Sequence, residues 1–360
     1  MPAPDHQRAP GLGPERLLTG RFPGGGVLVW LDQRLNLAGL LLPWLERPVP
    51  AVTAWPQLLW RYLGGLSLLL LGIELLTGLA MLPFYRAEAD QALASLAGIE
   101  RALPAGWLVR RLHAVGGHLL LALAAAHALR TLARGAHFKP RELHWLSGWL
   151  LLLSTLGMVF SGGLLPMSQA SLGQLAALWP HWNGPLTPSI LAWALALHLG
   201  LPLLMLALAW LHLALVRRTG PAEIVFEEPD GQEPRFPLGL IHAGLAGAGC
   251  LLLLTALAVL WPQPFLAPAR PLPEPGLPWP PPGGTGLPPW PLLAPAAVAG
   301  LLPPGWGLVP ALLALAAPAL WPFWERGPAR PLGRRPWLGK LLPLAGALWV
   351  LLSFWGALRW

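Results

Sequence analysis

Apolar runs of about twenty residues recur along the chain near 59–83, 106–133, 145–165, 188–216, 237–260, 306–324 and 336–357, each long enough for an α-helix to cross hydrocarbon. Inside lipid a backbone must satisfy its own hydrogen bonds, so such runs have few folds open to them other than a helical bundle. Only 11% of the residues are charged, against about 25% in soluble domains, which removes the soluble classes. The expected fold is an all-α membrane protein with about seven transmembrane helices, and the shorter apolar piece at 291–302 reads as re-entrant or interfacial.

A formal charge of +8 raises the question of nucleic acid, and its distribution answers it. Segments on alternate sides of the spans divide the 24 Lys and Arg unequally: 18 lie in 1–61, 130–141, 217–235 and 326–340. The positive-inside rule therefore puts the N-terminus in the cytoplasm, and a basic face against anionic lipid accounts for the charge without nucleic acid. The single cysteine, Cys250, excludes an internal disulfide and a thiolate-ligated cluster.

Residues 1–26 are rich in Gly, Pro and Arg, lack the apolar stretch of a cleavable signal, and read as a disordered tail. The amphipathic stretch 27–47 suits a helix lying on the inner surface. Four spans follow, giving a domain over 27–216. The polar stretch 217–235 is the linker to a second apolar domain, 236–360, with three further spans. Residues 262–291 are dense enough in Pro and Gly to be extended and irregular.

Within the first domain, His113 and His127 lie fourteen residues apart, and so do His198 and His212. Fourteen residues is nearly four helical turns, so both members of a pair share a face and stand roughly 21 Å apart along the axis. Imidazoles in lipid are costly unless satisfied, and this matched quartet suits two stacked haems clamped between two helices. By topology, His113 and His198 would ligate an outer haem iron, and His127 and His212 an inner one. Two axial imidazoles leave iron no open position for oxygen, which points to electron transfer. Gly64 and Gly78, then Gly148 and Gly162, repeat the same interval, as if each porphyrin met a side-chain-free contact on two flanking helices.

Several motifs extend this reading to a family. The segments WLDQRL (30–35), YLGG (62–65), TGLAM (77–81), GWLVRRLH (106–113) and FKPREL (138–143), the last followed by His144 and Trp145, resemble the cytochrome b/b6 family of quinol:cytochrome c and quinol:plastocyanin oxidoreductases. VLWPQP (259–264) and RRPW (334–337) are similar to its three-helix partner subunit, here fused. The resemblance implies a four-helix dihaem bundle with two non-covalent haem b, and quinone, menaquinone or ubiquinone, as substrate. It also implies a Rieske iron–sulfur protein and a cytochrome c as partners, a homodimeric complex, and a prokaryotic cell membrane. Carried across residue by residue, Arg110 pairs with an outer-haem propionate, and Arg130 and Arg217 line the inner haem and quinone region. Each arginine is equally placed to be a positive-inside anchor. Pro202 matches a proline that bends the fourth helix, and Tyr62 stands where b6-type relatives attach a third haem through cysteine, so none is expected.

The outer quinol motif departs from the family. Where relatives have Pro-Glu-Trp-Tyr, this chain has Pro288, Pro289, Trp290 and Pro291, and proline cannot accept a proton. Only 31 residues separate Pro166 from His198, a shorter outer loop than relatives have. Glu88, Asp90, Glu100, Glu274 and His181 are the titratable groups on outer segments, where solvated charges suffice to explain them. Glu74 differs because it lies inside the first span, either as a functional group or as a polar contact within the bundle. His118 is off the ligand register; His137, His144 and His242 read as interfacial, with proton delivery an alternative for the first two. The expected function is transmembrane electron transfer as the cytochrome b subunit of a prokaryotic quinol:cytochrome c oxidoreductase. The alternative is a dihaem subunit of another respiratory assembly, such as a nitrate-reductase-linked one, without outer quinol oxidation.

Overall fold

The structure, a computed structural model, describes residues 30, 34, 48–50, 55–88, 90–178, 187–219, 232–234, 238–260, 290–303, 306, 308–325, 332, 335 and 337–359. Among them are eleven α-helices and one short antiparallel strand pair. The helices are α1 (Trp55–Met81), α2 (Ala92–Ala102), α3 (Gly106–Arg134), α4 (Glu142–Leu164), α5 (Gln169–Leu178), α6 (Pro188–Thr219), α7 (Leu240–Leu260), α8 (Leu293–Ala299), α9 (Leu308–Ala319), α10 (Trp321–Trp324) and α11 (Leu338–Arg359). The chain divides into two compact units. In the first, residues 1–62 and 222–249, strand β1 (Pro48–Pro50) pairs with β2 (Gln232–Pro234), and the Tyr62 hydroxyl donates to the Gly239 carbonyl at 2.9 Å. The second comprises residues 63–221 and 250–360.

Six helices are long and apolar enough to cross a membrane: Leu59–Phe84, Gly106–Arg134, Glu142–Leu164, Pro188–Thr219, Leu240–Leu260 and Gly339–Leu358. This is a multi-pass membrane protein. Exposed Leu203, Trp193 and Trp210 on α6 and Leu344, Leu351 and Phe354 on α11 are the surface that lipid requires and water would penalise. The expected span over 306–324 is corrected: its helix α9 has only 12 residues, and after a break at Leu320 the chain re-enters a helix of 4 residues, α10. Pro318 and Pro322 explain the break, since each lacks an N–H and crowds the preceding turn. The apolar piece at 291–302 forms α8, whose buried alanines 294, 296, 297 and 299 pack on α11. There Gly356 is required, because a Cβ would stand 2.5 Å from the Leu293 carbonyl oxygen. Of the amphipathic stretch 27–47 only Trp30 and Arg34 fall within the described residues; both are helical, with the Arg34 guanidinium 4.1 Å from the Trp30 ring centre.

α4 packs against α3 and α6 and is the hub of the bundle. α3 ends on Gly135 at φ 70°, with Gly135 N–H bonded to Leu132 O and Ala136 N–H to Thr131 O, the Schellman arrangement that left-handed glycine permits. Arg335 then donates to the Leu132 and Ala133 carbonyls, satisfying that helix end from 203 and 202 residues away in sequence. One carboxylate oxygen of Glu325 accepts from His137 Nε2 at 2.9 Å, Arg335 at 3.2 Å and Trp321 Nε1 at 2.7 Å. Burial holds the His137 imidazole below its usual range, the Glu325 bond opposing and the Arg335 charge adding to the effect, so at neutral pH His137 is a neutral donor. Glu325→Leu leaves fully buried His137 and nearly buried Arg335 without this acceptor. The expected cost is about 2–3 kcal/mol, read as a lower thermal unfolding midpoint in detergent, with Glu325→Gln intermediate.

Candidate functional site

The four histidines selected by spacing meet in two pairs. The His113 and His198 ring centres lie 6.1 Å apart with planes inclined at 75°, and those of His127 and His212 lie 6.5 Å apart at 78°. A metal–imidazole bond is about 2 Å and the ring centre about 1 Å beyond it, so two imidazoles across one metal ion stand about 6 Å apart. Both pairs have that separation. Each pair takes one ring from α3 and one from α6, as the register of fourteen requires.

Glycines complete the cradle. A Cβ at Gly78 would come within 3.1 Å of His113 Cε1, and one at Gly162 within 2.9 Å of His198 Cε1. At Gly64 and Gly148 the same atom would meet His127 at 3.2 Å and His212 at 3.3 Å. Each ring thus lies against a bare stretch of backbone on α1 or α4, a fit that any side chain at those positions would spoil. The neighbouring Gly65 faces open space, so glycine content alone is not the cause.

The residue before three of the four glycines carries a second device. Thr77 Oγ1 lies 3.0 Å from His113 Nδ1, Ser161 Oγ 3.1 Å from His198 Nδ1, and Ser147 Oγ 2.9 Å from His212 Nδ1. All three hydroxyls donate to their own helix, to Ile73 O, Gly157 O and His144 O respectively, so each turns a lone pair toward the imidazole. The ring must then carry its proton on Nδ1, which leaves Nε2 free as a ligand. The fourth position is Leu63, and His127 Nδ1 is buried without a hydrogen-bond partner. The hydroxyl-glycine doublet repeats at the histidine interval and is visible in the sequence; reading the glycines singly misses it.

The remaining candidates fall as follows. Arg110 pairs with Glu100 of α2, its Nε 2.7 Å from Oε1 and its terminal nitrogen also on that oxygen. Arg130 is buried on α3, and Arg217 is exposed in the last turn of α6. His144, buried, bonds Thr219 Oγ1 at 2.9 Å, and Arg141 donates to the Thr219 carbonyl, tying the start of α4 to the end of α6 beside His212. Trp290 opens a short 3₁₀ turn and meets Trp349 edge-on, and Pro291 follows it; Pro288, Pro289, His181 and Glu274 lie outside the described residues.

The cytochrome b/b6/petB family model matches residues 51–179, a segment that includes α1, α3 and α4 with two of the four histidines. This chain belongs to the cytochrome b/b6 family. It is 31% identical over 269 residues to the cytochrome bc complex cytochrome b subunit of Chlorobaculum thiosulfatiphilum, covering 68% of this chain and 61% of the relative. It is 37% identical over 143 residues to cytochrome b6 of Heliobacterium mobile, covering 39% of this chain and 66% of the relative. The chain therefore spans less than two thirds of either relative's length. A chain of a hyperthermophilic respiratory Complex III shares the fold, with a TM-score of 0.77 at 24% identity over 91% of both chains. Membership of the cytochrome b/b6 family implies haem b. The paired imidazoles and the glycine cradle fit such a group on this chain.

Proposed function

We propose that this chain is the dihaem cytochrome b subunit of a prokaryotic quinol:cytochrome c oxidoreductase and conducts electrons across the membrane. The observation that carries this is the pair of imidazole couples at metal-bridging separation, set one above the other on α3 and α6. His113 and His198 would hold one haem b, non-covalently, and His127 and His212 the other. Gly64, Gly78, Gly148 and Gly162 give the flat macrocycles room. When bound, the haems would supply one-electron reduction and oxidation. The chain's own contribution is orientation and dryness: hydroxyls on α1 and α4 fix the ligand tautomer, and the surrounding apolar helices exclude water.

Under the positive-inside orientation the N-terminus is cytoplasmic, the His113/His198 site is outer and the His127/His212 site inner, in a prokaryotic cell membrane. Residues 27–216 form the dihaem domain, 217–235 the linker, and 236–360 the counterpart of the family's separate three-helix subunit. A Rieske protein and a cytochrome c are the partners, menaquinone or ubiquinone the substrate, and the complex a homodimer. Arg110, Arg130 and Arg217 serve propionates or the inner quinone, with the Arg110–Glu100 pair exchanging for a propionate contact.

The second reading, a dihaem subunit of another respiratory assembly without outer quinol oxidation, is favoured by Pro288-Pro289-Trp290-Pro291, which has no base where the family motif has one. One experiment addresses both. The purified complex is expected to bind about two b-type haems per chain in a pyridine haemochrome assay and to reduce cytochrome c with quinol in a manner blocked by outer-site inhibitors. Two haems with reduction that persists under outer-site inhibition select the second reading; a dithionite-reduced spectrum without b-type absorption refutes both.

A further inference from the structure

Glu74 is the one acidic side chain placed inside the first span, and the hydroxyl-glycine device does not account for it. Its Oε2 lies 3.1 Å from His113 Nδ1, and its side chain is only 11% exposed. The carboxylate occupies a notch on α3 cut by consecutive glycines: a Cβ at Gly116 would collide with Oε1, and one at Gly117 would stand 3.7 Å from Oε2. Leu254 closes the same notch, its Cδ1 3.7 Å from that Gly116 Cβ position, and Oε1 is buried with no hydrogen-bond partner. A carboxylate is costly at such depth, and packing alone would be served by leucine. The notch, the 3.1 Å approach of Oε2 to Nδ1 and the absence of any counterpart at the other three rings mark Glu74 as built for His113.

We propose that Glu74 is a positioning residue for the haem ligated by His113 and His198: its carboxylate accepts the Nδ1–H of His113, holds the ring, and lowers that haem's midpoint potential. The inference rests on the dihaem reading above. Two oxygens lie within reach of Nδ1: Thr77 Oγ1, at 3.0 Å and donating to Ile73 O, and Glu74 Oε2, at 3.1 Å. A hydrogen bond donated by Nδ1–H raises the basicity of a ligating imidazole, which favours the more positive ferric state. Among the four ligands only His113 has this partner: His198 and His212 have a serine hydroxyl, and His127 has none. Glu74 thus adds to the difference between the two haem sites, although their ring spacing and glycine contacts are alike.

The test is an optical redox titration of the full complex carrying Glu74→Gln, at one fixed pH, with both haems counted. The amide keeps the shape and an acceptor oxygen but removes the carboxyl group. The midpoint of one haem is expected to rise by about tenfold in its reduction equilibrium, about 59 mV for one electron, with the other unmoved. Glu74→Asp, which draws the carboxylate back by one methylene, should move the same haem in the same direction. Selective loss of that haem in both variants, with the other retained, also supports the holding role. Midpoints unchanged from wild type in either variant overturn the proposal. Should neither variant accumulate, Thr77→Val decides with Glu74 intact: a midpoint shifted less than threefold supports Glu74 as the dominant acceptor, and a tenfold rise assigns the role to Thr77 instead. Wild-type complex without two b-type haems would defeat the dihaem reading, an outcome distinct from a null result at Glu74.

Discussion

Leucine in place of His113 is expected to remove one b-type haem and leave the other spectrally intact. His113 and His198 face each other at 6.1 Å, so deleting either ring would leave the haem they hold with one imidazole instead of two. The loss should be complete for that haem, beyond the 10–100-fold that weakening an outer-shell partner costs. His127 and His212 stand about 21 Å along the axis and share no glycine or hydroxyl with the first pair, so the two sites should behave independently. His198→Leu should give the same single-haem spectrum, and the double substitution should add nothing further, because both residues serve one iron. His127→Leu and His212→Leu should produce the reciprocal spectrum. The measurement is the pyridine haemochrome ratio to protein together with the reduced-minus-oxidised spectrum at low temperature. A His113 variant that retains the first haem while losing the second would refute the pairing.

This prediction depends on information that was already legible in the linear chain. Helical periodicity needs only the count of fourteen to put His113 above His127 and His198 above His212, and the third dimension merely brings the two helices face to face. The glycine interval works in the same way, since α1 and α4 are straight enough for equal spacing to mean equal height. What escaped the sequence is what depends on distant partners. The Glu325, His137 and Arg335 cluster joins positions 188 residues apart, for which no local pattern exists. Arg110 was assigned by family position, and its engagement with Glu100 depends on α2 folding back beside α3, a placement set by tertiary packing. The broken span over 306–324 has a different cause. Proline is tolerated in membrane helices, and α6 runs through Pro202 without interruption, so a single proline carries little signal. Pro318 and Pro322, four residues apart, crowd successive turns of one helix, and the apolarity of the stretch conceals that the backbone cannot continue.

The glycine cradle yields the second large effect, and it can be graded by distance. At Gly162 a Cβ would stand 2.9 Å from His198 Cε1, closer than packed carbons approach, whereas the corresponding distances at Gly78, Gly64 and Gly148 are 3.1, 3.2 and 3.3 Å. Gly162→Val adds a Cβ and two methyls against a ring already held by the Ser161 hydroxyl, so the ring must leave its bond or its metal-bridging position. Loss of the His113/His198 haem is the expected result, with the other haem retained. Alanine asks for a smaller movement, and haem affinity at the adjacent site should fall on the order of tenfold for Gly162→Ala and progressively less along the series to Gly148→Ala. The control lies one residue from the cradle: a Cβ at Gly65 meets nothing within 4 Å, so Gly65→Ala should bind both haems as wild type does, while Gly64→Ala, on the same helix and with the same added methyl, weakens the His127/His212 site. Haem retention during detergent washing, followed by absorbance, reads the whole series. Equal retention by the Gly64 and Gly65 variants would mean that the repeated glycines serve helix packing alone, since a packing role predicts no dependence on which glycine faces an imidazole.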